Sequence, residues 1–120
     1  MVSIYTVVKE LDEYIHNSDF EDLIAIRPDL SILTSWQDIE YKLRQIGIKK
    51  YTYNKAQELA GNNKLTATQS KLILHLKRLR NKVVHNPNLV VSEETAIEYR
   101  ELCFEVLQAL DSIDNHFNKK

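Results

Sequence analysis

The residues Thr66-Ala67-Thr68-Gln69-Ser70-Lys71-Leu72-Ile73-Leu74-His75-Leu76-Lys77-Arg78-Leu79-Arg80-Asn81-Lys82-Val83-Val84-His85-Asn86-Pro87 decide how the chain is read. Leu72, Leu76, Leu79 and Val83 recur in steps of four and three, which puts them on one side of a helix. Thr66 or Thr68 supplies an N-cap oxygen. At the far end Pro87 pushes Asn86 out of helical geometry, so the helix stops near His85. One long amphipathic helix is predicted, its apolar stripe pointing at a core.

On the C-terminal side, Ser92 before Glu93 and Glu94 marks another helix start. Tyr99, Cys103, Val106, Leu110, Ile113 and Phe117 then follow in alternating steps of four and three. Leu102, Leu107 and Ala109 widen that stripe, which suits a helix facing several neighbours or a neighbour and a second subunit. On the N-terminal side, Asn54 can cap a short helix through Ala60, with a break at Gly61, Asn62 and Asn63. Asp29 or Ser31 caps a helix carrying Leu33, Trp36, Ile39, Leu43 and Ile46, closed by Gly47. Residues 48–53 are a loop or an extended crossing piece. Asn17 and Ser18 precede a short helix up to about Ile26, and Ile4, Val7, Val8, Leu11 and Ile15 trace a further amphipathic helix. The fold class is all-α: a single domain over 1–120, an up-and-down bundle of four main helices with one or two short ones.

Composition agrees with that reading and narrows function. Two Gly and two Pro leave little turn chemistry for a sheet. A net charge of -1 argues against a protein that coats nucleic acid nonspecifically. A local patch is a different matter, and Lys77, Arg78, Arg80 and Lys82 crowd cations into six residues. Cys103 is the only cysteine, which rules out an intrachain disulfide or a cysteine-built zinc site and favours a reducing, cytoplasmic setting. No run approaches the roughly 18 apolar residues of a membrane span, and the N-terminus lacks the pattern of a signal peptide. A soluble, unprocessed protein is expected.

The run Leu79-Arg80-Asn81-Lys82-Val83-Val84-His85-Asn86-Pro87 resembles the HEPN superfamily, whose motif is an Arg, usually a polar residue after it, and a His a few positions on. The spacing here is Arg-x4-His. The motif covers about ten residues, and the helix order is compatible with the family over most of the chain. The resemblance implies a metal-independent, cofactor-free endoribonuclease. In such enzymes the RNA 2′-hydroxyl attacks the adjacent phosphate, leaving a 2′,3′-cyclic phosphate and a free 5′-hydroxyl. That chemistry needs a proton carrier near neutral pH and a fixed cation at the developing charge. By resemblance His85 is the first and Arg80 the second. Asn81 assists, as does Glu40, because many members carry an acidic residue on an earlier helix facing the motif. Lys77, Arg78 and Lys82 would guide RNA.

Helix geometry adds a constraint. At about 100° per residue, positions 80 and 85 diverge by roughly 140° around an ideal helix. Either the helix unwinds before Asn86-Pro87, or a second chain completes the site. The family favours the second, since its sites are commonly clefts between two protomers. RNA and a homodimer partner are therefore expected, with an antitoxin or defence-complex protein as a further partner and no membrane.

Each residue also has a structural reading. Arg80 can pair with Glu40 inside one chain, His85 can complement a helix C-terminus, and Asn81 can help cap it. His75, His16 and His116 read as structural. Tyr41, Tyr51 and Tyr53 beside Lys49 and Lys50 read as base-stacking residues or as partial core. In HEPN toxins paired with nucleotidyltransferase antitoxins, a tyrosine stands two residues after the His. Pro87 occupies that position, so control by modification of that tyrosine is not supported. The His-Asn-Pro ending is more similar to the branches found in abortive-infection and defence proteins. The alternatives are a noncatalytic HEPN-like binding module and a plain dimerisation adaptor.

Overall fold

In a computed structural model, residues 20–118 are described, with side chains over 22–113. The helix expected over Ile4–Ile15, the cap at Asn17 and Ser18, and His16 lie outside them, as do the side chains of His116 and Phe117. Five helices follow: α1 (Phe20–Ile26), α2 (Pro28–Gln45), α3 (Tyr53–Gly61), α4 (Ala67–His85) and α5 (Glu93–Asn118). No strand occurs among the described residues, so the all-α class holds.

Local chemistry sets the boundaries, in three places differently from expectation. α2 starts at Pro28 rather than after Asp29 or Ser31, since proline at the first helical position loses no hydrogen bond and arrives with its φ already helical. Asp29 instead pairs with Arg27 across the junction, Arg27 Nη2 to Asp29 Oδ2 at 3.0 Å. α3 is capped by Thr52, not Asn54: its Oγ1 accepts from Lys55 N at 3.2 Å. Gly61 stays helical, and the residue that turns the chain is Asn63, at φ 58.

Two helix ends share one device. Gly47, at φ 87, donates to Arg44 O, while the next residue, Ile48, donates to Leu43 O at 2.8 Å. Asn63 and Lys64 repeat the pattern on Ala60 O and Leu59 O. These left-handed closures satisfy the last carbonyls and turn Ile48 and Leu65 into the core. α4 opens with a full capping box, in which Thr66 Oγ1 accepts from Gln69 N and Thr66 N donates to Gln69 Oε1. Ser92 caps α5 by accepting from Thr95 N at 3.1 Å.

α2, α4 and α5 enclose the core. Ile32, Trp36, Ile39 and Leu43 come from α2, Ile73 and Leu76 from α4, and Tyr99, Cys103, Val106, Leu110 and Ile113 from α5. The buried line of α4 is Ser70, Ile73 and Leu76, whereas Leu72, Leu79 and Val83 are only partly buried. The predicted stripe was rotated because two tyrosines from outside the helix fix its facing. Tyr51 donates to Ser70 O and Tyr99 donates to Leu76 O, at 2.8 and 2.9 Å. Burial raises the pKa of both phenols above its ordinary value, so both keep their protons and remain donors.

The Tyr99–Leu76 bond and the short 86–92 link set α4 antiparallel to α5. Lys42 pairs with Asp111, and Asp38 acts electrostatically on Arg100. Positions advance together along α2 and α5, so those two helices run in the same sense. No helix among the described residues is long and apolar enough to cross a membrane.

Candidate functional site

α4 contains five Lys or Arg residues and no Asp or Glu. Lys71, His75, Arg78, Lys82 and His85 fall at steps of four and three, and all five are exposed. They make one basic stripe, about 21 Å long at 1.5 Å per residue. Among the described residues no ion pair engages Lys71, Arg78 or Lys82. An open groove of about 610 Å³ lies along this face, lined by His75, Arg78, Leu79, Asn81, Lys82 and His85. That size falls within the range of small-molecule sites, large enough for a nucleotide-sized group.

The helix remains wound through His85, and only Asn86 leaves helical geometry, at φ -130 and ψ 86. The first of the two ways of joining Arg80 to His85 is therefore absent. Arg80 does not line the groove. It is half-buried on another side of α4, where it and Glu40 both act electrostatically on the Tyr99 phenol. Its Nη1 donates to Asn81 Oδ1 at 3.1 Å, and Asn81 lines the groove.

Glu40 accepts from Trp36 Nε1 at 2.6 Å and stands 3.9 Å from Arg44 Nη2. Among the described residues it forms no ion pair with Arg80, so the one-chain Arg80–Glu40 bridge is not made. Lys77 donates to Tyr51 O at 2.6 Å and borders a separate cavity of about 140 Å³ with Trp36, Glu40, Arg44 and Lys49. Its ammonium ties the 48–52 crossing to α4. Arg78 and Lys82 lie in the groove, Lys77 outside it. Tyr51 is core, while Tyr41 and Tyr53 are exposed and apart from the groove.

His75 is the groove residue that sequence reasoning set aside. The signal was present in its spacing, three before Arg78, seven before Lys82 and ten before His85. Chemically, the groove presents two imidazoles, two fixed cations and an amide to a ligand, a set suited to phosphate oxygens. Among the described residues no group of three or more His, Cys, Asp or Glu is placed to hold a metal ion. No family model, curated protein or solved structure matches the chain.

Proposed function

We propose that the chain is a HEPN-type, metal-independent endoribonuclease, acting as a toxin or a defence effector. The observation that carries this reading is α4: an acid-free helix with His85, Asn81, Arg78 and Lys82 on an open groove at its Pro87 end. RNA lies against that end of the helix. His85 moves the proton of the attacking 2′-hydroxyl or of the leaving 5′-oxygen, and an Arg80 guanidinium offsets charge on the phosphorane. Asn81 holds Arg80, and Glu40 supports the packing beneath it through Trp36.

Arg80 and His85 point roughly 140° apart on a helix wound through both, so the cleft is completed by a second chain's motif. The same divergence favours a second reading, a noncatalytic HEPN-like nucleotide- or protein-binding module serving a defence or toxin–antitoxin complex.

The test is to incubate the protein with total RNA in EDTA and map the new ends. Cleavage that leaves 2′,3′-cyclic phosphate and 5′-hydroxyl termini supports the enzyme. Intact RNA under conditions where the protein binds it supports the module.

A further inference from the structure

Lys77 lies on the side of α4 away from the basic groove. Positions 73, 77 and 80 fall within about 60° of one another around the helix, so Lys77 shares the core-facing side with Arg80 and the fully buried Ile73. There it meets a second helix and a loop. The cavity of about 140 Å³ beside it is walled by Trp36, Glu40 and Arg44 from α2, by Lys49 and Lys50 from the 48–52 crossing, and by Lys77 itself.

Four cations from three parts of the chain thus surround one small cavity, against a single carboxylate. That carboxylate is already engaged: Glu40 Oε1 accepts from Trp36 Nε1 at 2.6 Å, and Oε2 stands 3.9 Å from Arg44 Nη2. Among the described residues no ion pair engages Lys49, Lys50 or Lys77. Lys77 uses one of its three N–H donors on Tyr51 O at 2.6 Å, which leaves two.

The backbone lowers the main obstacle to an anion here. Carbonyls at a helix C-terminus repel negative charge, and α2 ends beside this cavity. Those of Lys42, Leu43 and Arg44 are taken by the amides of Ile46, Ile48 and Gly47. The left-handed turn at Gly47 that makes these bonds also buries Ile48 and leaves Lys49 and Lys50 exposed. The amide N–H groups of Lys49 and Lys50 donate no hydrogen bond among the described residues.

Volume selects the ligand. A cavity of about 140 Å³ is close to the roughly 150 Å³ that takes one benzene-sized guest, and below the roughly 300 Å³ at which sites for larger small molecules begin. A tetrahedral oxyanion fits, and a nucleoside does not. Trp36 and Tyr51 are both buried, so neither ring offers a free face on which a base could stack. An internal phosphodiester carries one charge and has chain on two sides, whereas a terminal phosphate carries nearly two charges at neutral pH and has chain on one. A small cavity with this excess of cations suits the terminal group.

We infer that the α2–α4 cavity is a phosphate site, taking a dianionic phosphate group that is either free or at the end of a polynucleotide. Arg44, Lys49, Lys50 and Lys77 hold its oxygens while Glu40 stays on Trp36. Bound phosphate relieves the mutual repulsion of the four cations and ties α2, the crossing and α4 together. The site is separate from the groove, and the inference does not rest on the ribonuclease reading.

Trp36 is the only tryptophan of the chain and lines the cavity, so its fluorescence reports on this site. Titrating the full chain with inorganic phosphate at constant ionic strength should change that emission saturably and raise the melting temperature, while chloride does neither. In K49Q/K50Q the dissociation constant rises by roughly tenfold or more. In R78Q/K82Q, which alters only the groove, it is unchanged. Circular dichroism checks that both variants are folded. A short single-stranded DNA, which lacks the 2′-hydroxyl and so is not cut by 2′-hydroxyl attack, separates the two sources. Tighter binding at Trp36 by the strand with a terminal phosphate than by the strand with hydroxyl ends identifies a polynucleotide end; equal binding of the two, with inorganic phosphate still saturable, identifies free phosphate. No saturable response to phosphate, an equal response to chloride, an unchanged K49Q/K50Q protein, or the same loss in R78Q/K82Q overturns the site. RNA cleavage is read in none of these arms, so a protein that cuts no RNA leaves the site standing, and one that cuts RNA without binding phosphate here removes the site alone.

Discussion

Tyr99 joins the core to the site. Its ring is buried, its hydroxyl fixes the level of α4 through Leu76 O, and both Arg80 and Glu40 lie near enough to act on its charge. Tyr99→Phe removes that donor and leaves Leu76 O without this partner, costing about 1 kcal/mol in chemical denaturation. Cys103, one turn on, is buried, and burial first, with Asp38 adding and Arg100 opposing, pushes its thiol up to about 12. The native protein should therefore resist alkylation at pH 8 until denatured. Both groups hold their protons more tightly folded than unfolded. The contribution of Cys103 is complete below its ordinary value of 9.0 and is lost as pH rises through about 12, while that of Tyr99 starts to fall only above its ordinary value of 10.0. A melting temperature that stays level from pH 8 to 11 contradicts this. Arg80→Ala and His85→Ala should each abolish RNA cleavage while leaving helicity unchanged, since neither side chain is part of the buried cluster.

At the scale of the element, the long helices were legible because their signals are local. Thr66, Ser92, Pro87 and Gly47 act within a turn of their own position, and each marks a helix end in the structure. Thr66→Ala removes one arm of the capping box and should cost about 1 kcal/mol of stability. Facing was less legible. Leu72, Leu76, Leu79 and Val83 make as good a stripe on paper as Ser70, Ile73 and Leu76, and what chose between them was Tyr51 and Tyr99, residues 19 and 23 positions away. The candidate site divided along the same line. Arg80 and His85 were readable as a motif, and their divergence followed from counting residues. That the helix stays wound, that Arg80 turns to Asn81 rather than Glu40, and that His75 joins the groove depend on packing no short window contains. Ile39→Ala or Leu110→Ala, at the fully buried α2–α5 contact, should cost about 2–5 kcal/mol.

At the scale of the whole molecule, α4 carries five cations and no acid, α5 seven acids and one Arg, and the motif ends α4 just before the turn between them. Half of a cleavage site per chain, doubled by a two-fold axis, is the central claim. Mixing the two inactive variants tests it most directly. In a mixed dimer, the chain with Arg80→Ala still supplies His85 and the chain with His85→Ala still supplies Arg80, so one of its two clefts is whole. Random pairing of equal amounts should then restore about a quarter of wild-type cleavage, with the same 2′,3′-cyclic phosphate ends. A mixture as inactive as its components, although it dimerises, contradicts the claim.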